Sequence, residues 1–270
     1  MRIAVLSNIN IDPLKGFLSK FGFEDQYYAG YNQFMIELIN PNSHINQNTP
    51  NVLFIHLDGE SLFKIILSNG RVKYDQAALN DFIISISDFA VANPNTNIII
   101  SNIVLPAFST STYLNNQNSP IIFEQLINRK ILKLSEKNKN IYCYRFDSIV
   151  RAFGEKLLYD EKFWYLGRIK YTNTAFFEIA KHIQNTINAI QGKTKKVLVL
   201  DLDNTLWGGV VGEDGFSGIL LSEDGVGKIF RDFQSNIKLL STYGIILTVC
   251  SKNNENDALE ILNNHKMMIL

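Results

Sequence analysis

The chain has 270 residues, 46% of them hydrophobic and 11% aromatic, and its 26 basic and 26 acidic side chains cancel to zero net charge. This composition excludes a disordered tail, and without bulk charge there is no general attraction for nucleic acid or anionic lipid. At ~100 to 200 residues per domain, the length suits two units.

The N-terminal segment MRIAVLSNINIDP has only a few apolar residues before it reaches Asn and Asp, unlike a secretory signal. No apolar stretch reaches the ~18 to 20 residues of a membrane span, so a cytoplasmic protein without a membrane partner is expected. Strand-like runs follow in order at Ile3 to Leu6, weakly at Gln26 to Ala29, then at Val52 to Leu57, Asn97 to Ser101 and Ile141 to Tyr144. Between them lie helical patterns such as Leu79, Phe82, Ile83, Ile86, Phe89 and Ala90. Strand and helix in alternation predict a parallel α/β architecture. The longest apolar runs, Ile98 to Phe108 and Ile245 to Cys250, read as buried strands, and the Asn-rich stretches Asn40 to Asn51 and Asn115 to Asn118 read as surface loops.

A helix from about Asn173 to Ile190 carries Phe176, Ala180, Ile183 and Ile187 on one stripe, and the polar stretch Gln191 to Lys195 then intervenes. The boundary is placed there, with a first domain over 1–190 and a second over 191–270. The second opens with the strand Val197 to Leu200, continues through a helical pattern at Val226, Ile229, Phe230, Phe233, Ile237 and Leu240, and reaches the strand Ile245 to Cys250. The two cysteines, Cys143 and Cys250, both end apolar runs and read as reduced, buried thiols.

The chemistry concentrates where these two later strands end. DLDNT places Asp201 and Asp203 at the carboxyl end of a strand, where α/β sheets bind ligands. Carboxylates in such a crevice are costly without a cation or hydrogen-bond donors, and a magnesium ion would answer that need while also neutralising an incoming phosphate. Asp201 is placed to attack phosphorus, and Asp203 to protonate the leaving oxygen and later deprotonate water. The second strand runs into Ser251, Lys252, Asn253 and Asn254 before a helix near Glu255, so hydroxyl and amide groups form a phosphate seat. Asn204 and Thr205 belong to the same expected phosphate-binding set. The glycines Gly208, Gly209, Gly212 and Gly215 lack phosphate-loop spacing and suggest a hairpin-like flap.

DLDNTLWGG, then GEDG, then a strand ending in CSKNN, resembles the FkbH-like branch of the haloacid dehalogenase (HAD) superfamily, subfamily IIIC. The resemblance spans Lys196 to Asn254. It implies a flavodoxin-like, SGNH-hydrolase-like parallel-sheet domain followed by an incomplete HAD Rossmann-like domain. It also implies that Asp201 is nucleophile and Mg2+ ligand, that Asp203 is general acid/base and binds metal through its backbone carbonyl, and that Ser251 holds phosphate. Members of known role take a glyceryl unit from a bisphosphorylated three-carbon acid, remove phosphate and load the unit on an acyl carrier protein as a thioester, and Cys250 matches the family cysteine as a relay thiol. Alternatives are a plain phosphomonoester phosphatase or a catalytically silent carrier-docking module. The family's later lysine and acidic motifs do not occur before Leu270, so weak magnesium affinity and little turnover are expected of these 270 residues.

For the first domain the resemblance implies an SGNH-like fold, but the residues speak against an intact triad. Ser7 falls where a glycine is expected and Ile9 at the nucleophile, although a slip in the alignment would leave Ser7 as a candidate. No Asp has a His three residues later, and Tyr159, Asp160 and Trp164 stand where the base motif is expected. His56, Asp58 and Glu60 form a further polar cluster at a strand end, read either as a ligand site or as residues closing the strand.

Overall fold

A computed structural model describes the chain except for residues 63–65, 69–70, 74–75 and 106–119. The Asn115 to Asn118 loop assignment and the end of the Ile98 to Phe108 run therefore lie outside the described residues. The chain divides into two compact units, Met1–Ile190 and Gln191–Leu270.

The first unit runs β1 (Arg2–Ser7), α1 (Leu14–Lys20), β2 (Asp25–Tyr28), α2 (Phe34–Ile39), α3 (His44–Gln47), β3 (Val52–His56) and α4 (Gly59–Leu62). A short antiparallel pair, β4 (Ile66–Ser68) and β5 (Arg71–Lys73), precedes α5 (Gln76–Ala92), β6 (Asn97–Ser101), α6 (Pro120–Lys137) and β7 (Ile141–Tyr144). Four helices close the unit: α7 (Phe146–Phe153), α8 (Glu155–Leu158), α9 (Glu161–Gly167) and α10 (Asn173–Ile190).

The five long-range strands pair in parallel in the order β2-β1-β3-β6-β7. This is the flavodoxin-like order, with its switch point between β1 and β3. Side chains alternate across each strand, so Ala4 and Leu6 pack with α2, α5 and α6, while Ile3 and Val5 pack with α1 and α10. Both faces of β3 are buried, which is why its sequence is an uninterrupted apolar run. Edge strand β2 is only half-buried and reads weakly for the same reason.

The second unit contains β8 (Val197–Leu200), α11 (Val211–Gly218), α12 (Gly225–Thr242), β9 (Ile246–Val249) and α13 (Glu255–Asn264). β8 and β9 pair in parallel, with Val197 opposite Ile246 and Leu200 opposite Val249. Two expectations fail here. The strands are not buried: Val197 and Val199 are 50% and 59% exposed, and Ile246 and Val249 are exposed as well. The unit's core covers one face of a two-stranded sheet, through Leu198, Leu200 and Leu247, and leaves the other open. On α12 the expected apolar stripe is also displaced, because Ile229 is 67% exposed whereas Gln234 is fully buried. The buried face carries Gly227, Gln234 and Ile237. Gln234 turns inward because its amide donates to the Leu206 carbonyl at 2.7 Å and accepts from the Ile269 amide at 2.9 Å. Gly227 fixes the same rotation, since a Cβ there would stand 2.6 Å from the Ser222 backbone nitrogen.

Candidate active site

Asp201 follows β8 directly and Ser251 lies two residues beyond β9, so the parallel register brings both turns to one sheet edge; the Cys250 amide donates to the Leu200 carbonyl there at 2.9 Å. The two carboxylates differ in their surroundings. Asp201 is exposed, and its Oδ1 accepts only the adjacent Leu202 amide, at 2.8 Å. Its second oxygen accepts no hydrogen bond among the described residues. Asp203 is half-buried, with Oδ1 accepting the Trp207 indole N–H at 2.9 Å and the Val211 amide at 3.2 Å, and Oδ2 accepting the Asn253 amide at 2.7 Å.

Asn253 is what joins the two turns. The Ser251 hydroxyl donates to its Oδ1, its own backbone amide returns to Ser251 Oγ at 3.4 Å, and its Nδ2 reaches Asp203. Because Oδ1 takes the serine proton, the Nδ2 group is left to face the carboxylate. Asn254 caps α13 by accepting the Asn256 amide at 3.0 Å, and Lys252 between them is exposed.

The glycine-rich stretch forms a bridge closed around a short kinked helix, not the expected hairpin. Gly208 and Leu220 exchange backbone hydrogen bonds at 3.0 and 2.8 Å, and α11 lies between them with its kink at Gly215. Asn204 adopts φ 56° and accepts the Gly209 amide at 3.0 Å, while Thr205 continues the turn by donating its amide to the Leu202 carbonyl. Gly209 is required there, as its φ is 96° and a Cβ would sit 2.6 Å from Asp214 Oδ2. Cys250, expected to be buried, is exposed, because the open sheet face leaves the end of β9 uncovered.

Trp207 was missed by the motif reading. It is fully buried, four residues beyond Asp203, and a buried indole requires an acceptor for its N–H. That requirement together with the spacing is the signal that could have found it.

The first unit holds a second polar cluster at its own sheet edge. Asp58 is buried, with Oδ2 accepting from the Ser61 amide and hydroxyl at 2.9 and 2.7 Å, and Oδ1 paired with the Lys170 ammonium. Lys170 also bonds Glu60 at 2.9 Å. Burial, the largest single influence on Lys170, works to lower its pKa, but Asp58 and Glu60 outweigh it and raise the pKa above its ordinary value. Asp58 and Glu60 thus meet on one internal cation, while His56 Nε2 shares a 2.7 Å hydrogen bond with the Tyr171 hydroxyl. Ser7 is buried, with its Oγ accepting the Ile9 amide at 3.3 Å, and Ile9 lies in the apolar core.

No protein-family model matches the chain, and comparison with curated proteins returns no significant match. Among solved structures, the N-terminal part of the protein BF1531 from Bacteroides fragilis, which contains a phosphatase domain complexed with Mg, is similar at a TM-score of 0.84 and 28% identity. The likeness covers 100% of this chain and 73% of that one. A GDSL-like lipase from Bacteroides thetaiotaomicron is more distant, at a TM-score of 0.44 and 15% identity over 70% of this chain and 88% of its own. No helix among the described residues is long and apolar enough to cross a membrane.

Proposed function

We propose that the second unit carries magnesium-dependent phosphoryl transfer of the HAD type, through an aspartyl-phosphate on Asp201. The observation that carries this reading is the contrast between the carboxylates: Asp201 keeps a free oxygen at the sheet edge, while Asp203 is held by three N–H donors a turn away. The likeness to a Mg-complexed phosphatase-domain structure supports it.

The donor set fits magnesium, a hard cation that takes one or two carboxylates and fills its other positions with water and phosphate oxygens. Among the described residues no group of three or more His, Cys, Asp or Glu side chains forms a fuller cage. Asp201, through its side chain, and Asp203, through its backbone carbonyl, would hold the ion. When bound, it would neutralise phosphate charge. The free oxygen of Asp201 attacks phosphorus, the bond to the leaving oxygen breaks, and Asp203 delivers a proton to that oxygen. Asp203 then takes a proton from water, which attacks phosphorus and releases inorganic phosphate and the Asp201 carboxylate. Asn204, Thr205 and Lys252 offer amide, hydroxyl and ammonium donors to the phosphoryl oxygens, and Ser251 joins them when its hydroxyl turns from Asn253, whose Nδ2 keeps a second N–H beside the one on Asp203. Such donors are most of what the transition state requires.

The finer reading rests on the FkbH-like sequence motifs: the substrate is a bisphosphorylated small acid, the Cys250 thiolate attacks its acyl-phosphate carbon and phosphate leaves, and the acyl carrier protein's phosphopantetheine thiol then takes the acyl unit and releases the Cys250 thiol. The exposure of Cys250 supports a thiol within reach of such a partner. The test incubates the protein with magnesium, a panel of phosphomonoesters that includes phosphorylated three-carbon acids, and a phosphopantetheinylated carrier protein. Released phosphate and the masses of both proteins after acid quench are then measured. From these 270 residues only slow phosphate release and a low yield of phosphorylated Asp201, both lost in Asp201→Asn, are expected; release that survives Asp201→Asn sinks the phosphoryl reading. Mass gained on the carrier through Cys250, and lost in Cys250→Ser, is expected for the acyl step, and phosphate release without it leaves a plain phosphatase.

A further inference from the structure

The first unit contains a cavity of about 640 Å³ where β1 and β2 end, lined among others by Ser7, Asn10, Asp12, Tyr28, Tyr31 and Arg168. Its size falls in the ~300 to 1,000 Å³ range of small-molecule sites, and its place is the edge at which open α/β sheets bind ligands. Arg168 and Asp12 both line it and both are exposed. Neither forms an ion pair among the described residues, with each other or with any other group. One cavity is thus lined by two residues of opposite charge that form no ion pair with each other.

The arginine is also held in place. Its backbone is left-handed, φ 57° and ψ 26°, a conformation that non-glycine residues rarely adopt. The loop after β1 secures it, since the Asn10 amide donates to the Arg168 carbonyl at 3.1 Å and Asn10 Nδ2 to the Gly167 carbonyl at 3.3 Å. The guanidinium rests over Trp164, 5.2 Å from the ring centroid. Asn10 at the same time accepts the Asp12 amide at 3.0 Å, so one residue braces both charged positions. The Tyr28 hydroxyl bonds Gln26 at 2.9 Å, which leaves Tyr28 to serve the cavity as a wall.

We propose that this cavity binds a small two-ended acid, whose carboxylate engages Arg168 and whose hydroxyl or ammonium group engages Asp12. A guanidinium matches a carboxylate through two parallel N–H···O bonds, and a carboxylate such as Asp12 accepts from hydroxyl or ammonium donors. The inference concerns the first unit alone and does not depend on phosphoryl chemistry in the second.

The test uses the whole chain with four probes: L-serine and glycerate, which have both ends, and propionate and ethanolamine, which have one each. Binding is read by saturation-transfer NMR and by Trp164 fluorescence, which lies beneath the guanidinium. At least one two-ended acid is expected to bind at least ~10-fold more tightly than either one-ended probe. Serine binding without glycerate, or the reverse, identifies the donor group. Arg168→Gly removes the guanidinium but keeps a residue that favours the left-handed backbone, so the melting temperature should hold while affinity falls at least ~10-fold. Asp12→Asn should weaken binding similarly. Absence of saturable binding by both two-ended acids, equal binding of propionate, or affinity indifferent to both substitutions overturns the proposal.

Discussion

Acidification should destabilise the first unit through one residue, His56. Its ring is 1% exposed and packed against Phe54, Phe146 and Tyr171 at centroid distances of 5.9, 4.8 and 5.2 Å. Nε2 meets the Tyr171 hydroxyl, while Nδ1 has no partner among the described residues, so none of them accepts a hydrogen bond from a second ring N–H. Burial lowers the pKa from 6.5 to about 4, with Asp58 opposing the shift and Lys170 reinforcing it. The sign follows from which state binds the proton. Above pH 6.5 neither state does; between 6.5 and about 4 the unfolded chain takes a proton that the folded chain refuses, so stability is lost as pH falls. At ~1.4 kcal/mol per pH unit across that gap, His56 alone costs about 3 kcal/mol by pH 4.

Hydrogen exchange of the β1 and β3 amides, corrected for intrinsic rates and followed from pH 7 to pH 4.5, reads this directly. The control is His56→Gln, which carries no charge at any of these pH values. Its packing cost is the same throughout, so the difference in slope between the proteins isolates the histidine. Glu124, whose pKa burial raises, acts in the opposite direction but contributes to both proteins alike. Asp147, lowered from 3.8 to about 2 chiefly by its bond to Arg145, loses its contribution only below this window. Parallel pH profiles for the two proteins would refute the argument.

Other substitutions test the remaining polar contacts. Lys170→Met strands Asp58, whose side chain is 2% exposed, and should cost ~3 to 5 kcal/mol in chemical denaturation; adding Asp58→Asn should recover part of it, whereas strictly additive losses would show that the pair is uncoupled. Trp207→Phe removes the indole donor from Asp203 and should lower the stability of the second unit by ~2 kcal/mol, seen as faster exchange of the β8 and β9 amides. Unchanged exchange would show that this bond contributes nothing. A thiol reagent should react in two phases, quickly at exposed Cys250 and slowly at half-buried Cys143, whose pKa burial raises. Cys250→Ser should remove the fast phase alone, and loss of the slow phase instead would reverse the assignment.

The elements most legible in the sequence are those whose surroundings are uniform. β1, β3 and β6 are covered on both faces, so each reads as an apolar run whichever helix lies above it. The β4 and β5 pair has strands too short to read from apolar pattern, and its one sequence signal is the Asn69-Gly70 dipeptide between them. The second unit shows where pattern stops being informative. An apolar run expresses a demand for cover, but whether neighbours meet that demand is a tertiary property, and Val197, Val199 and Ile229 have the demand without the cover. The rotation of α12 was hidden similarly, since it is set by the tight approach at Gly227 and the two bonds of a buried glutamine, neither of which contributes to an apolar count.

The candidate site follows the same division between residue type and partner. Asp201, Asp203 and Ser251 were legible because strands that end together bring their following turns together, and spacing alone places them. Spacing treats the two aspartates as equivalents. What separates them is the number of donors each has already engaged: three N–H groups from Trp207, Val211 and Asn253 on Asp203, and one neighbouring amide on Asp201. A carboxylate with an oxygen to spare can attack phosphorus, whereas one held on both oxygens is placed for a different task, the proton transfers proposed for Asp203. The choice of Asp201 as nucleophile thus gains a physical argument independent of the motif, and it comes from a tryptophan four residues downstream and an asparagine on the other turn.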